Sequence, residues 1–248
     1  MTDTVGVVPE GCLLGCLPRT TEYGQVFTPA KEKVKIIPES KWSELLSQKR
    51  SLRPFVKQIN YQKNNSCASE ASNKDFELVM ALAGLPHILF NPLFTYHHVA
   101  GGRDAGSGID ENLDAIIKYG CCPESVYSRS EGWKGTPPQK AYDVASFFRD
   151  IEVVDIGSEE EMVSCYLNGY GIVRGSKSHA TLIVEITPDK EIIIANSWDY
   201  SWGDQGFGVW DTYNQAVNGI RQYGAWGLRT ARVDFEALYK AFPWFTTA

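Results

Sequence analysis

The chain has 248 residues, 43% of them hydrophobic, enough for a sizeable core at the upper end of a single domain. Its net charge is −6, and its longest basic cluster is Lys31-Glu32-Lys33, which argues against nucleic acid as the main partner. No stretch approaches the roughly 18 apolar residues of a membrane span, and neither Met1-Thr2-Asp3-Thr4 nor the short apolar run 11–17 has the pattern of a secretion signal.

In chain order, residues 1–50 read as an arm wrapping a domain that spans 51–248. Pro9, Pro18, Pro29 and Pro38 break any long element there, and only 41–49 has room for a short helix. Residues 51–150 read as a helical lobe. Within it, Tyr61-Gln62-Lys63-Asn64-Asn65-Ser66-Cys67 is a polar loop running into a helical pattern. Phe76, Val79, Met80 and Ala83 follow i, i+3, i+4, i+7, and Gly84 with Pro86 ends the run. Asn65 and Ser66 are good N-cap types, so the helix begins beside Cys67 and presents it on an N-terminus.

A second helix follows Ser107-Gly108-Ile109-Asp110, a hydroxyl-x-x-acid capping pattern; Ile109, Leu113, Ile116 and Ile117 share its apolar face and Gly120 closes it. The glycine-rich piece 101–106 lacks the Gly-Lys-Ser/Thr of a phosphate loop. From 151 onward the pattern turns to strands, at 152–156, 171–174, 181–186, 191–195, 206–210 and 228–233, with 187–190 as a turn. Ser178-His179-Ala180 opens one of these strands, and another delivers Asn196-Ser197-Trp198.

A cysteine at a helix start, then a histidine, then an asparagine, with a glutamine upstream of the cysteine, is a residue set in a fixed order. In it the chain resembles the papain-like cysteine peptidases, and in particular their short, single-domain bacterial and viral forms, over about residues 50–210. The resemblance implies an α+β, two-lobed fold, with the helical lobe (about 51–150) carrying the cysteine and an antiparallel β lobe (about 151–248) carrying the histidine and asparagine. It implies a peptide or protein substrate and hydrolysis of an amide bond through an acyl-enzyme. Cys67 would be the nucleophile, activated as thiolate by the helix N-terminus and His179. His179 would be general base then acid, and Asn196 would orient its ring. Gln62 would donate its side-chain N–H to the oxyanion, with the Cys67 backbone N–H. Gly106 would lie along the cleft and bond substrate backbone. Trp198 would join the substrate-binding side and shield the His–Asn bond from water.

The chain departs from the family pattern in places. Gln62 stands five residues before Cys67, one fewer than usual, Ala68 replaces the common aromatic, and Asp199 the common glycine. Cys67 lies closer to His179 and Asn196 than the roughly 130–150 residues usual in the family. The short link before His179 predicts an open cleft on that side, with broad, weak substrate selection, unless a partner chain or the 209–226 region covers it.

Six cysteines, one of them assigned to catalysis, leave five, which cannot form a complete disulfide framework. A reducing, cytoplasmic origin is therefore expected, or a virion component. Cys12 and Cys16 form half a metal site without a second half, and His87, His97 and His98 show no ligand pattern, so neither metal nor cofactor is expected. Two other functions use the same residues differently. One is acyl transfer or cleavage of a cell-wall amide. The other is a papain fold serving as a structural part of a larger assembly, for instance a viral particle.

Overall fold

The computed structural model describes residues 8–19 and 27–247. Within the arm lie β1 (Thr28–Pro29), α1 (Ala30–Lys33) and α2 (Trp42–Gln48), followed by the helical side: α3 (Cys67–Leu82), α4 (Pro92–Val99), α5 (Ile109–Tyr119) and α6 (Gln139–Ala145). The sheet side follows, with β2 (Asp150–Asp155), α7 (Glu159–Leu167), β3 (Gly171–Ser176), β4 (His179–Ile186), β5 (Ile192–Ala195), β6 (Phe207–Val209), α8 (Tyr213–Tyr223), β7 (Ala225–Arg232) and α9 (Phe235–Ala241). The architecture is α+β, and every strand window read from the sequence holds a strand. The helices α7, α8 and α9 are additions to that reading. Each starts at a side chain that accepts from the first-turn backbone, Ser158, Thr212 and Asp234 respectively, so local capping chemistry interrupts the strand pattern. The N-cap of α5 is Gly108, not Ser107, whose hydroxyl accepts from Asn112 instead.

The strands form one sheet in the order β1-β2-β7-β3-β4-β5-β6. All neighbours are antiparallel except β1 and β2. Strand β3 is buried along its whole length. It continues to Ser176, two residues past its expected end, and pairs Ser176 with His179. The link to β4 is therefore only Lys177 and Ser178, both at positive φ (50° and 59°). Two consecutive left-handed residues make the hairpin turn whose twist matches that of the strands it joins. That turn fixes where β4 begins, and with it His179.

Helix α3 was expected to bury one apolar face. Instead every residue from Cys67 to Met80 is buried, because α4, α5, β3, β4 and β7 surround the helix. Its polar side chains are consequently tied to different neighbours. Glu70 accepts from Asn60 and from Arg129, Ser69 bonds Asn112, Asn73 bonds Thr95, and Glu77 takes both Lys74 and the Phe90 amide. Asp75 has no such partner and lies against Gly171, where an added Cβ would stand 1.6 Å from its carboxylate oxygen. Burial pushes its carboxyl well above the usual range. Apolar packing among the described residues divides into two large clusters and a small third one of Leu93, Tyr96, Ala100 and Trp133. One large cluster, on the helical side, includes Phe76, Phe90, Phe94 and Phe148; the other, on the sheet side, includes Trp42, Tyr166, Trp198 and Trp210.

Candidate active site

Cys67 is the first residue of α3, and its thiol is fully buried. The loop before it is anchored twice to Asp104: the Asn65 backbone N–H donates to Asp104 Oδ1 and Asn65 Nδ2 to the Asp104 carbonyl, each at 2.8 Å. The amides of Ala180, Gly15 and Ala68 are directed at the sulfur and favour a thiolate. Desolvation outweighs them, and the thiol is pushed up to about 11. The thiolate expected from the residue pattern is therefore not the resting state of this closed arrangement.

His179 opens β4 with its ring fully buried. Its Nε2 lies 2.7 Å from Asn196 Oδ1, and the Ser197 backbone N–H donates to the same oxygen at 2.8 Å. That second bond fixes Oδ1 as the acceptor, so the ring proton sits on Nε2 and Nδ1 carries the lone pair. Nδ1 is buried without a hydrogen-bond partner. Trp198 stacks on the imidazole with ring centres 4.3 Å apart, and the edge of Trp210 closes another side at 5.7 Å. Burial pushes the imidazole down to about 4, against the Asn196 bond that would raise it. Thiol and imidazole are both neutral as they stand.

Beside them lies a pair absent from the sequence reading. Arg174 and Asp211 are both fully buried and make two hydrogen bonds, at 2.8 and 2.6 Å. Arg174 is paired with Thr181 and Ser176 with His179, so the guanidinium and the imidazole rise from the same face of the sheet, two rungs apart. The two charges act oppositely on His179, Arg174 disfavouring and Asp211 favouring the imidazolium.

Gln62 reaches the site despite its shifted spacing. Its backbone N–H donates to the Ser197 carbonyl at 2.9 Å, and its Oε1 accepts from the Ser197 hydroxyl. The amide is thereby turned so that Nε2 points outward, donating to the carbonyls of Leu13 at 2.9 Å and Asn64 at 3.1 Å. Leu13 belongs to the N-terminal arm. Trp198 is 1% exposed and spends its face on His179, which fits the shielding role and leaves no surface for substrate. Gly106, at φ +86°, lies against the arm, but the backbone that bonds the arm is that of Ser107, one residue on.

The arm fills the space over these residues. Ser107 N–H donates to the Gly15 carbonyl at 2.9 Å, Leu17 N–H to the Ser107 carbonyl at 3.1 Å, and Cys16 N–H to the Ser178 carbonyl at 2.9 Å. The arm thus bridges the helical side, through Ser107, to the sheet side, through Ser178 in the β3–β4 turn. Tyr223 of α8 bonds the Ser178 hydroxyl at 3.1 Å, so the 209–226 region does back the His179 side. The arm presents the Gly15 N–H to the sulfur. The only sequence signal for this insertion was the glycine-punctuated apolar run 11–17 inside a proline-broken arm; Ser107, Ser178 and Ser197 carried none. Among the described residues no three histidine, cysteine, aspartate or glutamate side chains gather as a metal site.

No family model matches the sequence, and no curated protein is similar to it. Solved structures do match. Xylellain, a cysteine protease from Xylella fastidiosa, is 18% identical, with a TM-score of 0.66 over 91% of this chain and 100% of its own. A recombinant stem bromelain precursor is 15% identical, with a TM-score of 0.61 over 84% of this chain and 77% of its own. Digestive procathepsin L 3 of Tenebrio molitor larval midgut is 14% identical, with a TM-score of 0.58 over 75% and 72% respectively. The chain has the fold of the papain-like cysteine proteases.

Proposed function

We propose that this chain is a cysteine peptidase, resting in a form that its own N-terminal arm blocks. The observation that carries the reading is the buried His179–Asn196 bond at 2.7 Å, which leaves the lone pair of Nδ1 unpartnered in the strand whose next residue, Ala180, directs its amide at the Cys67 sulfur. A base held in one tautomer, a thiol at a helix N-terminus and an amide donor at Gln62 supply nucleophile, proton shuttle and oxyanion support.

Once the arm leaves and water or substrate enters, the burial that neutralises both groups is relieved. His179 Nδ1 then takes the Cys67 proton, and the sulfur attacks the substrate carbonyl carbon. The oxyanion would take the place of the Leu13 carbonyl oxygen, on Gln62 Nε2. His179 returns the proton to the leaving amine, then activates water to hydrolyse the thioester. Asn196 holds the ring in register through both steps, and Trp198 keeps water off their bond. The test is labelling with a thiol-reactive epoxide peptide after release of the arm. Modification confined to Cys67 and abolished by Cys67→Ser supports the reading; labelling unchanged by that substitution defeats it.

A further inference from the structure

The sheet order sets β6 at an edge, three strands from β3. Only Trp210, Asp211 and Thr212 separate the end of β6 from α8. Helix α8 packs on β3, where a Cβ on its Gly219 would stand 2.4 Å from the Gly175 carbonyl oxygen. The link must therefore cross back over the sheet, and it does so over the face that carries Arg174, Ser176 and His179. Trp210 meets His179 on the way, and Asp211 meets Arg174.

Trp210 braces two rings at once. Its indole stands nearly perpendicular to the imidazole, with centres 5.7 Å apart, and to Trp198, at 5.0 Å. Lys177, exposed in the β3–β4 turn, lies over the same indole with its Nζ 5.4 Å from the ring centre. Trp210 thus stands on the side where the two-residue turn gives His179 no wall of its own. The indole's own polar anchor is weak, a single bond of 3.5 Å from Nε1 to the Ser176 carbonyl. The firm attachment is one residue on, where Asp211 accepts from both terminal nitrogens of Arg174, at 2.8 and 2.6 Å.

A buried ion pair of this kind adds little net stability over apolar groups of the same bulk. Arg174 Nε even stays buried without a partner. What the pair supplies is geometry, because a two-pronged bond fixes both the distance and the rotation of the groups it joins. Charge cancellation matters as well. Arg174 alone would set a cation two rungs from an imidazole that must itself become cationic, and Asp211 offsets it.

We propose that Arg174 and Asp211 are positioning residues: their bond holds Trp210 against His179 and so keeps the imidazole in the one orientation that puts Nε2 on Asn196 and leaves Nδ1 to take a proton. The proposal rests on the peptidase reading above and gives its base a further wall beside Trp198. Without that wall the ring has room to turn about its Cβ–Cγ bond, exchange its two nitrogens and admit water to the Asn196 bond.

The test reads the ring itself, by nitrogen NMR of the full chain with isotope-labelled histidine. The unaltered chain should show His179 as a single tautomer at neutral pH, with the proton on Nε2. Asp211→Asn breaks the pair, and Trp210→Leu removes the wall but keeps the pair; each should give a mixture of both tautomers. Arg174→Met combined with Asp211→Leu replaces the pair by apolar groups, so it should unfold in urea close to where the unaltered chain does and still show the mixture. A single Nε2–H tautomer in that folded double variant, or in Trp210→Leu, overturns the proposal, because a merely structural pair would leave the ring alone. With the arm released by Cys16→Pro, the same variants should lower kcat by about tenfold or more with KM little changed, the mark of a misplaced base. A chain that shows the expected tautomers, yet with the arm released cleaves no peptide and takes no iodoacetamide on Cys67, ends the peptidase reading, and the catalytic purpose of the wall with it.

Discussion

Replacing Cys16 with proline removes the N–H that bonds the Ser178 carbonyl at 2.9 Å, one of the arm's ties to the sheet side. The effect on Cys67 follows from its burial. With the arm in place the thiol stands at about 11, and at pH 7.5 about one molecule in 3,000 carries a thiolate. A solvated cysteine near 8.5 is ionised in about one molecule in ten at that pH. Loss of the cover should therefore speed alkylation of Cys67 by about 300-fold, before any further gain from His179. The assay is iodoacetamide at pH 7.5 with peptide mapping over time. In the unaltered chain Cys12, the one cysteine that is not buried, should react first, and Cys121, Cys122 and Cys165 should stay protected in both forms. Reaction of Cys67 as fast as Cys12 without the substitution, or a rise of less than about threefold with it, would refute the reasoning.

Three further outcomes are expected. His179 titrates at about 4 in the folded chain and near 6.5 when unfolded, so the unfolded state binds the extra proton between those values. Stability should fall by about 3 kcal/mol as pH drops through that window, with His98, also at about 4, adding in the same direction; urea midpoints that do not move between pH 7 and 4.5 would contradict this. Asp211→Asn leaves the buried Arg174 guanidinium without its carboxylate and should cost about 3–5 kcal/mol in urea unfolding; a loss below about 1 kcal/mol would mean that water reaches the pair. Gln62→Ala, made in the Cys16→Pro chain, should lower kcat by about 10²–10³ with KM little changed, and a fall of less than about threefold would assign the oxyanion to another donor.

What could be read from the sequence was local. The periodicity of Phe76, Val79 and Met80 located α3, and alternating or apolar runs located the strands, because helix and strand each impose a repeat on a single stretch of chain. Cys67, His179, Asn196 and Gln62 could be singled out because each lies beside such an element. The arm could not be read that way. Its docking depends on Cys16 and Leu17 meeting Ser107 and Ser178, which are distant in sequence, and backbone hydrogen bonds leave no residue signature. For the same reason the missing residue between Gln62 and Cys67 could not be weighed in advance. The compensation comes from Ser197, across the site, which takes both the backbone and the side-chain oxygen of Gln62 into fixed positions.

The buried surroundings of α3 bear on how the molecule comes together. Glu70, Ser69, Asn73 and Glu77 each depend on a partner from a different segment, between Asn60 and Arg129 in the chain. Forming the helix alone would strand these groups in an apolar interior, so no subset of neighbours suffices and assembly around α3 is all-or-none. The 8–19 part of the arm stands outside that cooperative unit, since it contributes backbone bonds to Ser107, Ser178 and the Cys67 sulfur but none to Glu70, Ser69, Asn73 or Glu77. The scaffold beneath Cys67 can therefore be complete before the arm docks, and the arm can come and go without unravelling it.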